Sequence, residues 1–225
     1  MKKSIKFCLI SMMMFSMSCS NEPITDAING AQDVDLFSRT NKSTVDVINP
    51  ILGIVTGTST LHRNSSGITV NYKTTGLTPG YAYTIWWVIW NNPQNCSTPG
   101  ECGDPDFGNA EAVGVDVLYA AGHVVGKSGV GNFSARLNVD DDSQSINDLF
   151  GLPAAGGLQS GNTYSAEVHL VLRSHGPMIP GEVNEQIGGY LGGCDNPFEF
   201  PPFTEIPDEV GECGDIEFAI FSPVN

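Results

Sequence analysis

Glu167 and His169 lie two residues apart in the β-prone segment EVHLVLR, which places both on one face of a strand, roughly 7 Å apart. A carboxylate and an imidazole at that spacing can hold one metal ion or form a hydrogen-bonded pair on the sheet surface. His175 lies six residues beyond His169, and the two could share a metal only if the chain folds back at 174–177. A second set of oxygen ligands, Asp104, Asp106, Asn109 and Glu111, occupies one glycine-containing loop. Calcium favours such hard ligands, although no complete DxDxDG ladder is present and a solubilising acidic surface accounts for the same residues. Trp86 and Trp90 stand four apart in YAYTIWWVIWN, roughly 13 Å along a strand face. They offer either a stacking platform for a neutral ligand or packing beneath a loop. The run AGHVVGKS matches a loose phosphate-loop spacing, but Gly129-Val130-Gly131 follows it where a helix is required. Neither a GxSxG nucleophile motif nor a mature free cysteine is expected, so nothing points to covalent catalysis.

The elements that would position these residues are strands. From residue 44 onward, short β-rich segments alternate with Gly, Pro, Asn and Asp, at 44–48, 57–63, 67–74, 81–91, 112–120, 123–127, 132–139, 163–173 and 215–221. Only 145–150 could form a helical turn. The pattern predicts an all-β domain over 44–225, an antiparallel Greek-key β-sandwich of roughly eight strands. Segment 81–91 is apolar on both faces, with Tyr83, Ile85, Trp87 and Ile89 on one and Trp86, Val88 and Trp90 on the other. The second face therefore needs a cover, for which the loop from 92 to 111 is the nearest candidate. In 163–173, Ala166, Val168, Leu170 and Leu172 form a core face, leaving Glu167, His169, Val171 and Arg173 on the other.

Residues 1–18 have the layout of an export signal: Lys2, Lys3 and Lys6, then an apolar stretch over 7–17 too short to span a bilayer, then Ser18 and Cys19. Ser16-Met17-Ser18 also fits ordinary cleavage by a signal peptidase. Residues 19–43 are mostly polar and read as a tether. In an exported chain the four remaining cysteines predict two disulfides, with Cys96–Cys102 and Cys194–Cys213 favoured because each pair brackets a local Pro/Gly-rich loop. The formal net charge is −15, and loss of 1–18 would leave 7 basic against 25 acidic residues, a net of −18. That charge argues against a nucleic-acid partner.

The position of Cys19 resembles a bacterial lipoprotein signal, which implies lipidation at Cys19 and a bilayer as partner. Ser20, where an Asp would mark retention, implies the outer membrane. Gly76-Leu77-Thr78-Pro79-Gly80, ahead of an aromatic strand, resembles the GL-turn of copper/zinc superoxide dismutases and CHRD-type repeats, and Gly129 to Phe133 echoes a second turn of that fold. The resemblance implies a β-sandwich. It carries over no copper ligand, because Tyr81 to Trp87 contains no His-x-His. Segment 167–176 is also similar to exported bacterial β-proteins, a resemblance that supplies no activity. The expected function is a non-enzymatic cell-envelope binding or surface-display module for an extracellular or periplasmic ligand. The alternative is a metal-dependent envelope enzyme centred on Glu167 and His169.

Overall fold

The computed structural model describes residues 41–195 and 210–224. The expected signal, Cys19 and residues 19–40 of the tether lie outside them, whereas Asn41, Lys42 and Ser43 already belong to the first strand. Eight strands follow: β1 (Asn41–Asn49), β2 (Ile54–Asn64), β3 (Gly67–Thr74), β4 (Tyr81–Trp90), β5 (Val115–Val124), β6 (Gly131–Asn138), β7 (Glu167–Pro177) and β8 (Gly214–Phe221). Every pairing is antiparallel, and the hydrogen-bonded order is β5-β4-β7-β8-β1-β2-β3-β6. The fold is thus all-β, as the alternation predicts, but it is one rolled sheet rather than two separate ones.

The roll has two four-stranded halves. β5-β4-β7-β8 and β1-β2-β3-β6 are joined through a single β1–β8 pair, Ile48 opposite Phe218. At the opposite side, the ring of His123 on β5 stacks on Phe133 of β6 with centroids 4.3 Å apart. Around the resulting flattened barrel β7 returns beside β4, which makes β4 to β7 a Greek key. Ile68, Val70, Tyr72, Tyr83, Ile85, Trp87, Ile89, Leu170 and Leu172 fill the interior between the halves. Burying each such side chain contributes about 1.5–3 kcal/mol. Two polar links also cross the interior. Arg63 of β2 donates to the carbonyls of Thr163, Ala166, Phe221 and Ser222, and Glu217 of β8 accepts from Tyr72 and Thr74 of β3.

The outer faces of the halves differ, and this difference places the candidate site. On β3 and β6 the outward residues are polar and exposed, as where Ser134 donates to Asn71 and Arg136 to Thr69. On β4 and β7 the outer residues are mostly buried as well. Their cover is pinned by buried polar side chains: Asn91 donates to Gly114 and Gly157, and Asn147 donates to Val115 and Pro153. On the other flank the chain at Ile187 sits so close that a Cβ on Gly122 of β5 would stand 2.6 Å from its carbonyl oxygen.

Several boundaries differ from the sequence expectation. Segments 112–120 and 123–127 merge into β5, because a register shift opposite Ile85/Trp86 absorbs the irregularity without ending the pairing. Residues 110–113 form a turn of α-helix instead, closed by Gly114 at φ 60°. β7 begins later than predicted and continues through 174–177, so the chain does not fold back there. The predicted turn over 145–150 is a 3₁₀ turn at Asn147–Phe150. Both expected disulfides are present, Cys96–Cys102 and Cys194–Cys213, spanning 6 and 19 residues.

Candidate functional site

The second face of the tryptophan strand carries the site. Trp86, Val88 and Trp90 point outward from β4, and His169 and Val171 continue their surface across β7. The disulfide loop contributes Cys102, Asp104 and Phe107, the 147–150 turn contributes Leu149 and Phe150, and Tyr190 closes a third side. They enclose a cavity of about 760 Å³. That volume falls in the range of small-molecule sites, and its lining is mainly apolar.

Aromatic rings dominate the walls. Trp90 contacts Phe107 at 5.1 Å between centroids and His169 at 5.8 Å, while Trp86 meets Tyr119 at 5.4 Å and Tyr190 at 5.2 Å. Trp86 and Trp90 are 2% and 1% exposed, so they are packing residues beneath the cover, and the accessible wall is left mainly to Phe107, Leu149, Phe150 and Ile220. Of the two roles that the sequence offered as alternatives, packing is the one their burial supports, and the cavity lies against the residues that cover them.

Glu167 and His169 are brought together: Nε2 of His169 donates to Oε1 of Glu167 at 2.6 Å, and the same oxygen accepts the Cys102 amide at 3.0 Å. Glu167 is 1% exposed, and its second oxygen has no hydrogen-bond partner among the described residues. Directly across the ladder, the indole N–H of Trp90 likewise lacks one. His169 lines the cavity and Glu167 is buried behind it, so the pair does not sit on a solvated sheet face.

The acidic loop residues disperse. Asp106 accepts the amides of Ser97 and Gly103 and so clasps its own loop. Burial alone would raise its pKa, but the Ser97 and Gly103 bonds outweigh burial and lower it. Asp104 lines the aromatic cavity, whereas Asn109 and Glu111 line a separate cleft against Gly151 and Pro153. The four candidate oxygen ligands Asp104, Asp106, Asn109 and Glu111 are therefore divided between different surroundings among the described residues. The phosphate-loop spacing falls on the end of β5 and a turn into β6, with Lys127 exposed and no helix behind it.

Two buried clusters escaped the sequence reading. Arg173 donates to Asp215 at 2.9 Å and to the Tyr190 carbonyl, and lies 3.9 Å beneath the Tyr190 ring, whose hydroxyl donates to Asp215. Desolvation raises the Asp215 pKa, with Arg173 opposing it. The other cluster centres on His175, which is fully buried. Trp86 donates to the Thr84 hydroxyl, Thr84 donates to Nε2 of His175, and Nδ1 donates to the Gly192 carbonyl at 2.9 Å. Burial, helped by Arg173, lowers the His175 pKa to about 3. The sulfurs of Cys194 and Cys213 lie 3.7 and 3.8 Å from Nδ1, but both are committed to their disulfide. Because β7 stays extended, His169 and His175 occupy different clusters and do not share a ligand position. The parity of β7, which places His169, Arg173 and His175 on one face, was the available signal for this second cluster. Comparison with protein-family models, with curated proteins and with solved structures returned no match, so no activity is carried to this chain from a relative.

Proposed function

We propose that the chain is a cell-envelope lipoprotein whose β-domain is a non-enzymatic binding module for a small apolar ligand. The observation that carries this reading is the cavity of about 760 Å³ over Trp86 and Trp90, built on rigid strands and walled by aromatic rings. A structural sheet face needs only to be covered, whereas this one is covered by an arch. The kinship with dismutase and CHRD-type β-sandwiches suggested by Gly76 to Gly80 is part of the same proposal, and the Greek-key order is compatible with it. A second reading, metal-dependent chemistry at Glu167 and His169, draws on the unpartnered carboxylate oxygen of Glu167.

The neutral fluorophore N-phenyl-1-naphthylamine is expected to bind saturably, with energy transfer from the buried tryptophans. Val171→Phe, which fills the cavity floor, should abolish that binding while retaining the wild-type circular dichroism spectrum. Saturable binding of equal affinity in both proteins would place the probe elsewhere and overturn the reading.

The anchor has its own test. Cys19→Ala is expected to move the protein from the membrane fraction to the soluble fraction, because a lipidated cysteine is the anchor proposed here. Unchanged fractionation, with no lipid mass on the N-terminal peptide, would remove the lipoprotein assignment.

A further inference from the structure

Resting on the cavity reading above, we infer that the cavity selects a hydrophobic organic cation, an alkyl ammonium or a comparable amphiphilic amine, over neutral or anionic molecules of the same shape. Its accessible aromatic wall is formed by the half-buried rings of Phe107 and Phe150, backed by the buried Trp86, Trp90 and Tyr190. Aromatic faces attract a cation through the ring quadrupole and are the usual means of holding a quaternary ammonium.

The unpaired charge at the cavity is negative. Asp104 and Asp215 line it, but Asp215 is buried against Arg173 and Glu167 against His169, which leaves Asp104 as the carboxylate facing the opening. No Lys or Arg is among the lining residues, and the nearby guanidinium, Arg173, is committed to Asp215 and the underside of Tyr190. Asp104 is exposed at the rim, where its charge faces an entering ligand without a cationic partner in the ion pairs of the described residues. Aromatic stacking alone would accept any flat or aliphatic group. Asp104 converts that tolerance into a preference for positive charge, and the formal net charge of −15 draws cations toward the whole molecule. The head group of a fatty acid or alkyl sulfate would be repelled by Asp104.

Three dodecyl amphiphiles that differ only in the head group provide the test, dodecyltrimethylammonium and dodecyl sulfate titrated calorimetrically below their micelle concentrations and dodecanol below its solubility limit. The ammonium is expected to bind about tenfold more tightly than the alcohol, with no saturable binding of the sulfate. Asp104→Asn should weaken the ammonium about threefold more than it weakens the alcohol. Added salt should narrow the difference between ammonium and alcohol in the wild type. Equal affinity for ammonium and alcohol, or saturable binding of the sulfate, would overturn the charge preference while leaving the cavity reading intact. Binding of none of the three would overturn both.

Discussion

Arg63→Ala is expected to destabilise the protein by about 3–5 kcal/mol, read as a lower midpoint in urea unfolding. Arg63 is completely buried, and its two terminal nitrogens reach four carbonyls, those of Thr163 and Ala166 before β7 and of Phe221 and Ser222 at the end of β8. Desolvation lowers its pKa only to about 10, so the guanidinium stays charged at neutral pH and its bonds are charge-assisted. The alanine variant leaves a cavity and unpaired carbonyls at the end of the seam where β1 and β8 no longer pair, seven residues along β1 from the rung at Ile48. Arg63→Lys should recover only part of the loss, because one ammonium cannot reproduce the planar fork. A midpoint for Arg63→Ala within experimental error of wild type would show that the latch is dispensable.

His175 should give the second large effect, expressed through pH. Its pKa is depressed to about 3 in the folded protein, against about 6.5 in an unfolded chain. Between those values the unfolded chain binds a proton that the folded protein refuses. Stability from this group is therefore present above about pH 6.5 and lost as the pH falls toward 3, by about 3 kcal/mol between pH 7 and pH 4. Burial raises the pKa of Asp116, Asp215 and Glu217, and these groups contribute with the opposite sign, favouring the folded state on the acid side. The contribution of His175 is isolated by subtraction: the stability difference between wild type and His175→Gln should shrink by that amount on acidification. A difference independent of pH would mean that the imidazole is hydrated or already protonated in the folded protein.

These two residues also mark where the sequence stops being legible. Strand positions follow from period-two alternation, and the double-sided apolarity of 81–91 announces both the core and the need for a cover. The local disulfides follow from loops that bring their cysteines together. Alternation also places Arg63 two residues beyond Leu61, on the inward face, but a charged residue at a strand end gives no sign of the carbonyls it will meet. Those carbonyls lie about a hundred or more residues away and converge only through the sheet order, which depends on long-range pairing. The same limit applies to the cavity. Trp86, Trp90 and Glu167/His169 were visible as separate candidates, whereas their meeting beneath one loop depends on the β4–β7 pairing. The acidic loop was misleading for a local reason. A carboxylate that clasps two amides, as Asp106 does, has the same sequence as one poised for calcium.

The single rung between β1 and β8 bears on the order in which the molecule folds. β1, β2 and β3 form a meander that can pair as soon as it is made, but β8 lies between β7 and β1 and completes the connection between the halves. Ile48 and Phe218 lie almost a whole domain apart in sequence, so their closure carries a large loop entropy and waits for strands made much later. The disulfides, which span only 6 and 19 residues, do little to shorten that search. The free edge of β1 is thus exposed for most of the chain's emergence. Its alternating polar residues Lys42, Thr44 and Asp46 lie along the part of that edge outside the rung at Ile48, where they discourage pairing with another copy both before and after β8 arrives.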